Sequence, residues 1–230
     1  MGFDTAVKEF AEFMGGEVKR VEGMIPTGDN SQSTNSLIIT GNGRPDKIRN
    51  PDTTNGKITG NEPNGTFYSS TNGAGVGAYL WQKQNNKWNV ISADTGARRI
   101  TQGAVNIKSG YVTLRRVNNT VECAFTGGAW GAIYFYGSSD SRFKRKAHPK
   151  RMDVLENSRI PFGFRSTTSI MLPFYSDDGD HVGMVYVGGT SNYNYIELRF
   201  KDKPPTADMD IIRMPVISWI TDEPFPETLP

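Results

Sequence analysis

The sequence predicts an all-β protein: a small β-module, then a C-terminal β-sandwich of jelly-roll-like type, with one short helix at the N-terminus. Three observations predict it. From residue 66 onward, short runs rich in β-branched and aromatic residues follow one another with no helical period between them. Clusters of Gly and Asn separate those runs, and the chain holds 25 Gly and 13 Pro in 230 residues, about one residue in six against an average nearer one in eight. Strands punctuated in this way fold as sheets packed face to face rather than as βαβ units.

Taken in order, residues 1–21 predict the helix. Asp4 or Thr5 caps it, Phe3, Val7, Phe10, Phe13 and Met14 recur every three to four residues, and Gly15-Gly16 ends it. A lone amphipathic helix of about 11 residues is marginal in water, so it needs a surface to pack on. Residues 22–65 read as an extended linker: nearly every residue is a turn former, and only Leu37-Ile38-Ile39 suits a short strand.

Residues 66–100 form the small β-module. Thr66-Phe67-Tyr68 leads to a turn at Asn72-Gly73 and a strand from Ala78 to Lys83; Gln84-Asn85-Asn86-Lys87 reverses the chain into Trp88-Asn89-Val90-Ile91. That hairpin puts Trp81 and Trp88 on one face.

Residues 101–230 carry the sandwich, with strands at Val105–Lys108, Tyr111–Arg116, Val121–Phe125, Ala132–Tyr136, Ser169–Pro173, His181–Val187, Tyr195–Phe200 and Ile211–Ile220. Alternation turns Val112, Leu114 and Arg116 one way, and Asn118-Asn119 suits a tight turn.

Composition excludes several functions. With 26 basic against 24 acidic side chains the net charge is +2, which supplies no general attraction to nucleic acid or to an anionic membrane. One Cys rules out an intrachain disulfide and a multi-Cys zinc site, and two His leave little for metal or acid–base chemistry. No metal or cofactor is therefore expected. No apolar run reaches the roughly 18 residues of a membrane span, and the first residues lack a signal-peptide layout.

The Gly-rich Asn72–Gly77 stretch lacks the Gly-Lys-Ser/Thr ending of a phosphate loop and reads as a turn. Asp177-Asp178-Gly179-Asp180-His181 is oxygen-rich enough for Ca²⁺ but does not follow the EF-hand register, so a solvated hairpin turn is the preferred reading and a cation the alternative. Glu122, Asp153, Asp177 and Glu197 stand outside any catalytic motif, and Cys123 sits within a strand pattern as a small buried hydrophobe. No catalytic residue is assigned, and the chain is expected not to be an enzyme.

Two sets of residues suit binding. Aromatic rings with polar edges cover the C–H faces of sugars, and Tyr193-Asn194-Tyr195, flanked by Ser191-Asn192, is the best exposed candidate, with Trp130 beside it in the carbohydrate set. Tyr134, Tyr136, Tyr175 and Tyr186 belong to the same aromatic stretches, for which core packing is the preferred reading overall; alternation turns Tyr134 and Tyr136 away from Phe135, so one side of that strand is core. Arg142, Lys144, Arg145 and Lys146 form the strongest charge patch, with His148, Lys150 and Arg151 following, and attract anionic groups in a salt-sensitive way. A solvated loop is the preferred reading of that patch, and contact with an anionic partner such as teichoic acid or with a neighbouring subunit is the alternative.

Gly43-Arg44-Pro45-Asp46, the run from Lys57 to Thr66, the run from Ser69 to Ala78, Trp81-Gln82-Lys83, Trp88 and Asp94-Thr95-Gly96-Ala97-Arg98 follow one another in this order. The order resembles a small module of minor tail and receptor-binding proteins of siphophages that infect Gram-positive bacteria, actinobacterial ones among them. Val112–Val121, Ile160–Ser166 and Val182–Phe200 resemble the terminal β-domain that follows it, more loosely. Asn72 stands where the pattern often has an acid and Ala97 where it often has an aromatic.

The resemblance implies an all-β homotrimer at the virion tail tip. It implies a host cell-wall saccharide or teichoic acid as ligand, with other tail subunits as partners. The alternatives are a structural shoulder or baseplate subunit without receptor contact and, less favoured, a cell-wall glycan depolymerase.

Overall fold

The computed structural model describes residues 38–46, 58–144, 147–189 and 193–230; the helix expected over 1–21 lies outside them. Among the described residues the fold is all-β, with fifteen strands and two three-residue 3₁₀ turns, Gly73–Gly75 and Ala129–Gly131. The chain divides into two compact units: the described residues through Ala74 together with Tyr79–Ile91, and Gly75–Ala78 together with Ser92–Pro230.

The sheet of the first unit has strand order β1 (Ile38–Gly41), β2 (Phe67–Ser70), β3 (Ala78–Gln84), β4 (Lys87–Ala93). Asn85 and Asn86 take φ values of 50° and 60° at the β3–β4 turn, the left-handed pair that a two-residue hairpin loop requires. Tyr68 and Trp81 are cross-strand partners and almost wholly buried. Two cations cover the indoles: the Arg44 guanidinium lies 4.9 Å from the Trp81 ring and the Lys83 ammonium 5.8 Å from the Trp88 ring.

Both cations are paired, Arg44 with Asp46 at 2.7 Å and Lys83 with Glu62 at 3.2 Å. Burial alone would raise the Glu62 carboxyl, but hydrogen bonds from Thr59 and Lys83 outweigh it and hold it below its ordinary value.

Two sequence boundaries move. β1 runs parallel to β2, and Lys83 donates to the Gly60 carbonyl at 2.7 Å, so described parts of the expected 22–65 linker belong to the module. At the other end, residues 98–100 pair with the second unit's sheet, so the small unit stops before them. The reason is physical: a segment with few apolar side chains still adds a strand through its backbone, and residues 98–100 find their ladder partners downstream.

The second unit holds β5 (Arg98–Ile100), β6 (Ile107–Ser109), β7 (Tyr111–Val117), β8 (Thr120–Thr126), β9 (Ile133–Phe135), β10 (Arg151–Leu155), β11 (Ile170–Ser176), β12 (His181–Val187), β13 (Ile196–Phe200), β14 (Met209–Arg213) and β15 (Ile217–Ile220). One sheet has four strands in the order β15-β8-β7-β5, the other seven in the order β10-β13-β12-β11-β14-β9-β6. Inward residues of both sheets, among them Val112, Leu114, Val121, Cys123, Ile133, Phe135, Phe174, Val185, Ile196 and Leu198, merge into one core. This is the β-sandwich that the alternating strands predict. Each fully buried Leu, Ile or Phe contributes roughly 1.5–3 kcal/mol, and the Phe174 and Phe200 rings meet edge to face at 5.9 Å.

Val112 and Leu114 point into the core as the alternation predicts, and Arg116, third in that row, is also buried. Its guanidinium donates to the carbonyls of Asn118 at 2.7 Å, Pro224 at 2.9 Å and Glu223 at 2.9 Å. Burial lowers the Arg116 pKa to about 10. One side chain thus ties the segment after β15 to the β7–β8 turn.

Candidate functional site

The outer face of the seven-stranded sheet carries the candidate site. In β13 the core takes Ile196, Leu198 and Phe200, so alternation turns Glu197 and Arg199 outward. The register extends this across the sheet. Asp153, Glu197, Tyr186 and Met171 form one cross-strand row, and Arg151, Arg199, Met184 and Pro173 the next. Further along β11, Tyr175 stands opposite His181 on one side and Arg213 on the other.

These side chains lock one another. The Glu197 carboxylate is 0% exposed; it accepts Arg199 Nε at 2.7 Å and lies 3.5 Å from Arg151 Nη1. Held this way, the Arg199 guanidinium lies over the Tyr186 ring, 3.7 Å from its centroid, a contact suited to a planar, delocalised cation. The Tyr186 hydroxyl shares a hydrogen bond with Ser169 Oγ at 2.7 Å, and its ring lies 5.6 Å from that of Tyr195.

Tyr193 is 61% exposed and Trp130 81% exposed. Tyr195 is half-buried and its ring packs against Tyr186. Asn194 is only 1% exposed, so the expected row of three contacts reduces to its two tyrosines; its carbonyl accepts the Ile160 amide at 3.5 Å instead of facing outward. Two further exposed side chains, Met171 at 43% and Tyr175 at 40%, lie on the outer face of β11.

Arg142 and Lys144 are exposed but already face carboxylates. Arg142 pairs with Asp140 at 2.8 Å and covers the Tyr136 ring at 4.1 Å, and Lys144 pairs with Glu156 at 3.1 Å. Hydrogen bonds from Arg142 hold the Asp140 carboxyl down at about 2. The Lys144 backbone is fixed by the Asn106 side chain, which accepts its amide at 2.6 Å and donates to its carbonyl at 3.2 Å. Arg145 and Lys146 lie outside the described residues.

Two chemical alternatives can be weighed on the geometry. Asp153 and Glu197 stand opposite each other across β10 and β13, a carboxylate pair that their sequence separation hides. Glu197 is wholly buried between two arginines, however, and a carboxylate so enclosed cannot reach a glycosidic bond.

Asp177 is taken by Arg213 at 2.6 Å, and Ser176 and Gly179 close the turn through bonds to Asp180 and Ser176. Among the described residues no three His, Cys, Asp or Glu side chains gather as a metal would require. Burial pushes the Cys123 thiol far up, which makes it a poor nucleophile.

A shallow cleft of about 480 Å³, lined by Arg159, Phe162, Arg165 and Leu229 among others, opens elsewhere in this unit. Its Arg165 already donates to the Ile160 carbonyl at 3.1 Å and lies 3.7 Å from Glu223.

Arg151, Glu197, Arg199 and Arg213 meet on or beside this outer face; the sequence reading puts Arg151 in the basic patch and Glu197 among scattered carboxylates, and singles out neither Arg199 nor Arg213. The signal for two of them was present: the Ile-Glu-Leu-Arg-Phe alternation at 196–200 already sorts inward from outward. Which strand lies beside which has no such signal. Among the described residues no helix is long and apolar enough to cross a membrane. Comparison with models of protein families, with curated proteins and with solved structures finds no match for the chain.

Proposed function

We propose that this chain is a bacteriophage tail receptor-binding protein that recognises host cell-wall carbohydrate without cleaving it. The observation that carries the reading is the placement of exposed aromatic rings: Tyr175 on the outer face of the seven-stranded sheet, with Trp130 and Tyr193 also presented to solvent. Rings with an apolar face and a polar edge suit pyranose C–H surfaces, and neighbours locked in place limit the ordering cost of binding. The motif order of the small module supports a tail protein at the virion tip.

A homotrimer, repeated over the particle, raises avidity without any new contact. Because Arg142 and Lys144 are each paired with an acid, a teichoic acid phosphate would have to compete for them, and the neutral sugar face is the stronger half of the reading.

The test is sedimentation of the labelled protein with isolated Gram-positive cell walls. Saturable binding that periodate treatment of the walls abolishes, with no release of reducing ends, is the expected result. Absence of binding to every wall fraction tested overturns the reading.

One observation favours a structural tail subunit instead. Val216, just before β15, and Ile220, on it, are exposed aliphatic side chains at an edge strand of the four-stranded sheet, and Val117 at the end of β7 is exposed as well, as a subunit contact would need. Protein that ignores cell walls yet co-assembles with purified tail components supports that role.

A further inference from the structure

Trp130 is 81% exposed, and its backbone sits at φ 58°, ψ 22°. The left-handed region is unusual for a bulky side chain. An exposed indole adds no burial to the core, so packing does not account for the conformation, and outliers of this kind cluster where a ligand is held. Backbone bonds close the turn around it: the Gly128 amide donates to the Ala132 carbonyl at 3.0 Å and the Ala132 amide to the Ala129 carbonyl at 3.1 Å. Neither bond uses the carbonyl of Trp130 itself.

That carbonyl accepts Arg213 Nη1 at 2.7 Å. The other edge of the same guanidinium is taken by Asp177, with Nε 2.7 Å and Nη2 2.6 Å from Oδ1. Arg213, on β14, therefore joins the turn before β9 to the turn after β11. Tyr175, its cross-strand partner, stands beside it with its ring 5.8 Å from that of His181. Only a planar fork presents donors along both edges; an ammonium is a single point charge and does not reproduce the bridge.

We infer that Arg213 and Asp177 form a latch that fixes where the Trp130 indole stands, which makes Arg213 a positioning residue for a ligand contact made by Trp130. The inference rests on the reading of this region as a binding surface, and the test separates the two. Its first readout is the Trp130 indole N–H resonance in ¹⁵N-labelled protein, assigned by its loss in Trp130→Ala. Its second is affinity for whichever member of an immobilised panel of bacterial cell-wall polysaccharides binds the unmodified chain most tightly.

Trp130→Ala is expected to weaken binding at least about tenfold, as hot-spot aromatics do. Arg213→Lys is expected to shift the indole resonance and to weaken binding to a similar extent. In the Trp130→Ala background, Arg213→Lys is expected to add less than about twofold, because both changes remove one contact. Asp177→Asn, which leaves Arg213 in place, repeats both readouts should Arg213→Lys fail to fold.

Losses that simply multiply, or an Arg213→Lys protein with unchanged resonance and affinity, overturn the latch. A resonance that moves while neither substitution alters binding leaves the latch standing and removes the binding role of this face.

Discussion

The two outer faces of the sandwich are built by the same alternation and carry different chemistry. On the four-stranded sheet the cross-strand rows are short and mostly polar. Thr113 stands opposite Ala124, and Arg115 opposite Glu122, which in turn faces Ser218. Tyr111 is covered by Arg99 at 4.4 Å, and the apolar residues left exposed, Val117 and Ile220, are aliphatic. On the seven-stranded sheet the same outward positions hold Met171, Pro173, Tyr175, Met184 and Tyr186, braced by Arg199 over a buried Glu197. Solubility and sheet formation are met by the first kind of face. The second carries buried charge and exposed aromatic surface that folding does not need, and the proposed binding role rests on that difference.

The largest expected effect contrasts two outward glutamates. Glu197→Ala leaves Arg199 and Arg151 without their shared acid and is expected to cost about 3 kcal/mol, in the range of a broken buried pair. Glu122→Ala, on the exposed face opposite Arg115, is expected to cost less than about 0.5 kcal/mol. Chemical denaturation of both variants checks this, and equal losses would erase the distinction between the faces.

Next in size are contacts to the ligand. Tyr193→Ala is expected to weaken wall binding about tenfold, while Thr113→Ala and Ser218→Ala leave it unchanged; sedimentation with isolated walls reads all three. Smaller again, Tyr186→Phe keeps the ring under Arg199 and removes only the bond to Ser169 Oγ. A stability loss of about 1 kcal/mol is expected, with wall binding retained, and thermal unfolding beside the binding assay checks it.

The smallest effect belongs to the polar face. Hydrogen bonds from Arg115 hold the Asp94 carboxyl below its ordinary value, against a smaller opposing effect of burial. A depressed acid stabilises the fold above its unfolded pKa, about 3.9, and loses that contribution as pH falls through the lower folded value. Asp94→Asn is therefore expected to lower Tm slightly at pH 6, with the gap closing between pH 4 and 2. The shift is small because the pair is exposed and screened.

How much of this was legible in the sequence follows from which forces are local. Alternation at Ile196–Phe200 sorts core from face residue by residue, and the Asn85-Asn86 and Gly179 turns carry their own signals. The two-sheet fold and the exposure of Tyr193 are read from such patterns. Contacts between distant segments are not. Tyr186 and Glu197 stand opposite each other only because β12 and β13 are neighbours, and Asp177 reaches Arg213 from another strand. Asn194 looks like a surface residue between two tyrosines, yet it is buried just ahead of β13. Trp130 shows no local sign of its left-handed backbone apart from the glycines at 128 and 131.

The most direct measurement compares two composite variants against isolated Gram-positive cell walls. One removes Trp130, Tyr175 and Tyr193 together by alanine; the other replaces Thr113, Glu122 and Ser218 in the same way. With both shown to keep β-sheet circular dichroism and a cooperative melt, the first is expected to lose wall binding and the second to keep it. Full binding by the aromatic variant, or loss by the polar one, would contradict the proposal that these exposed aromatic rings meet the host.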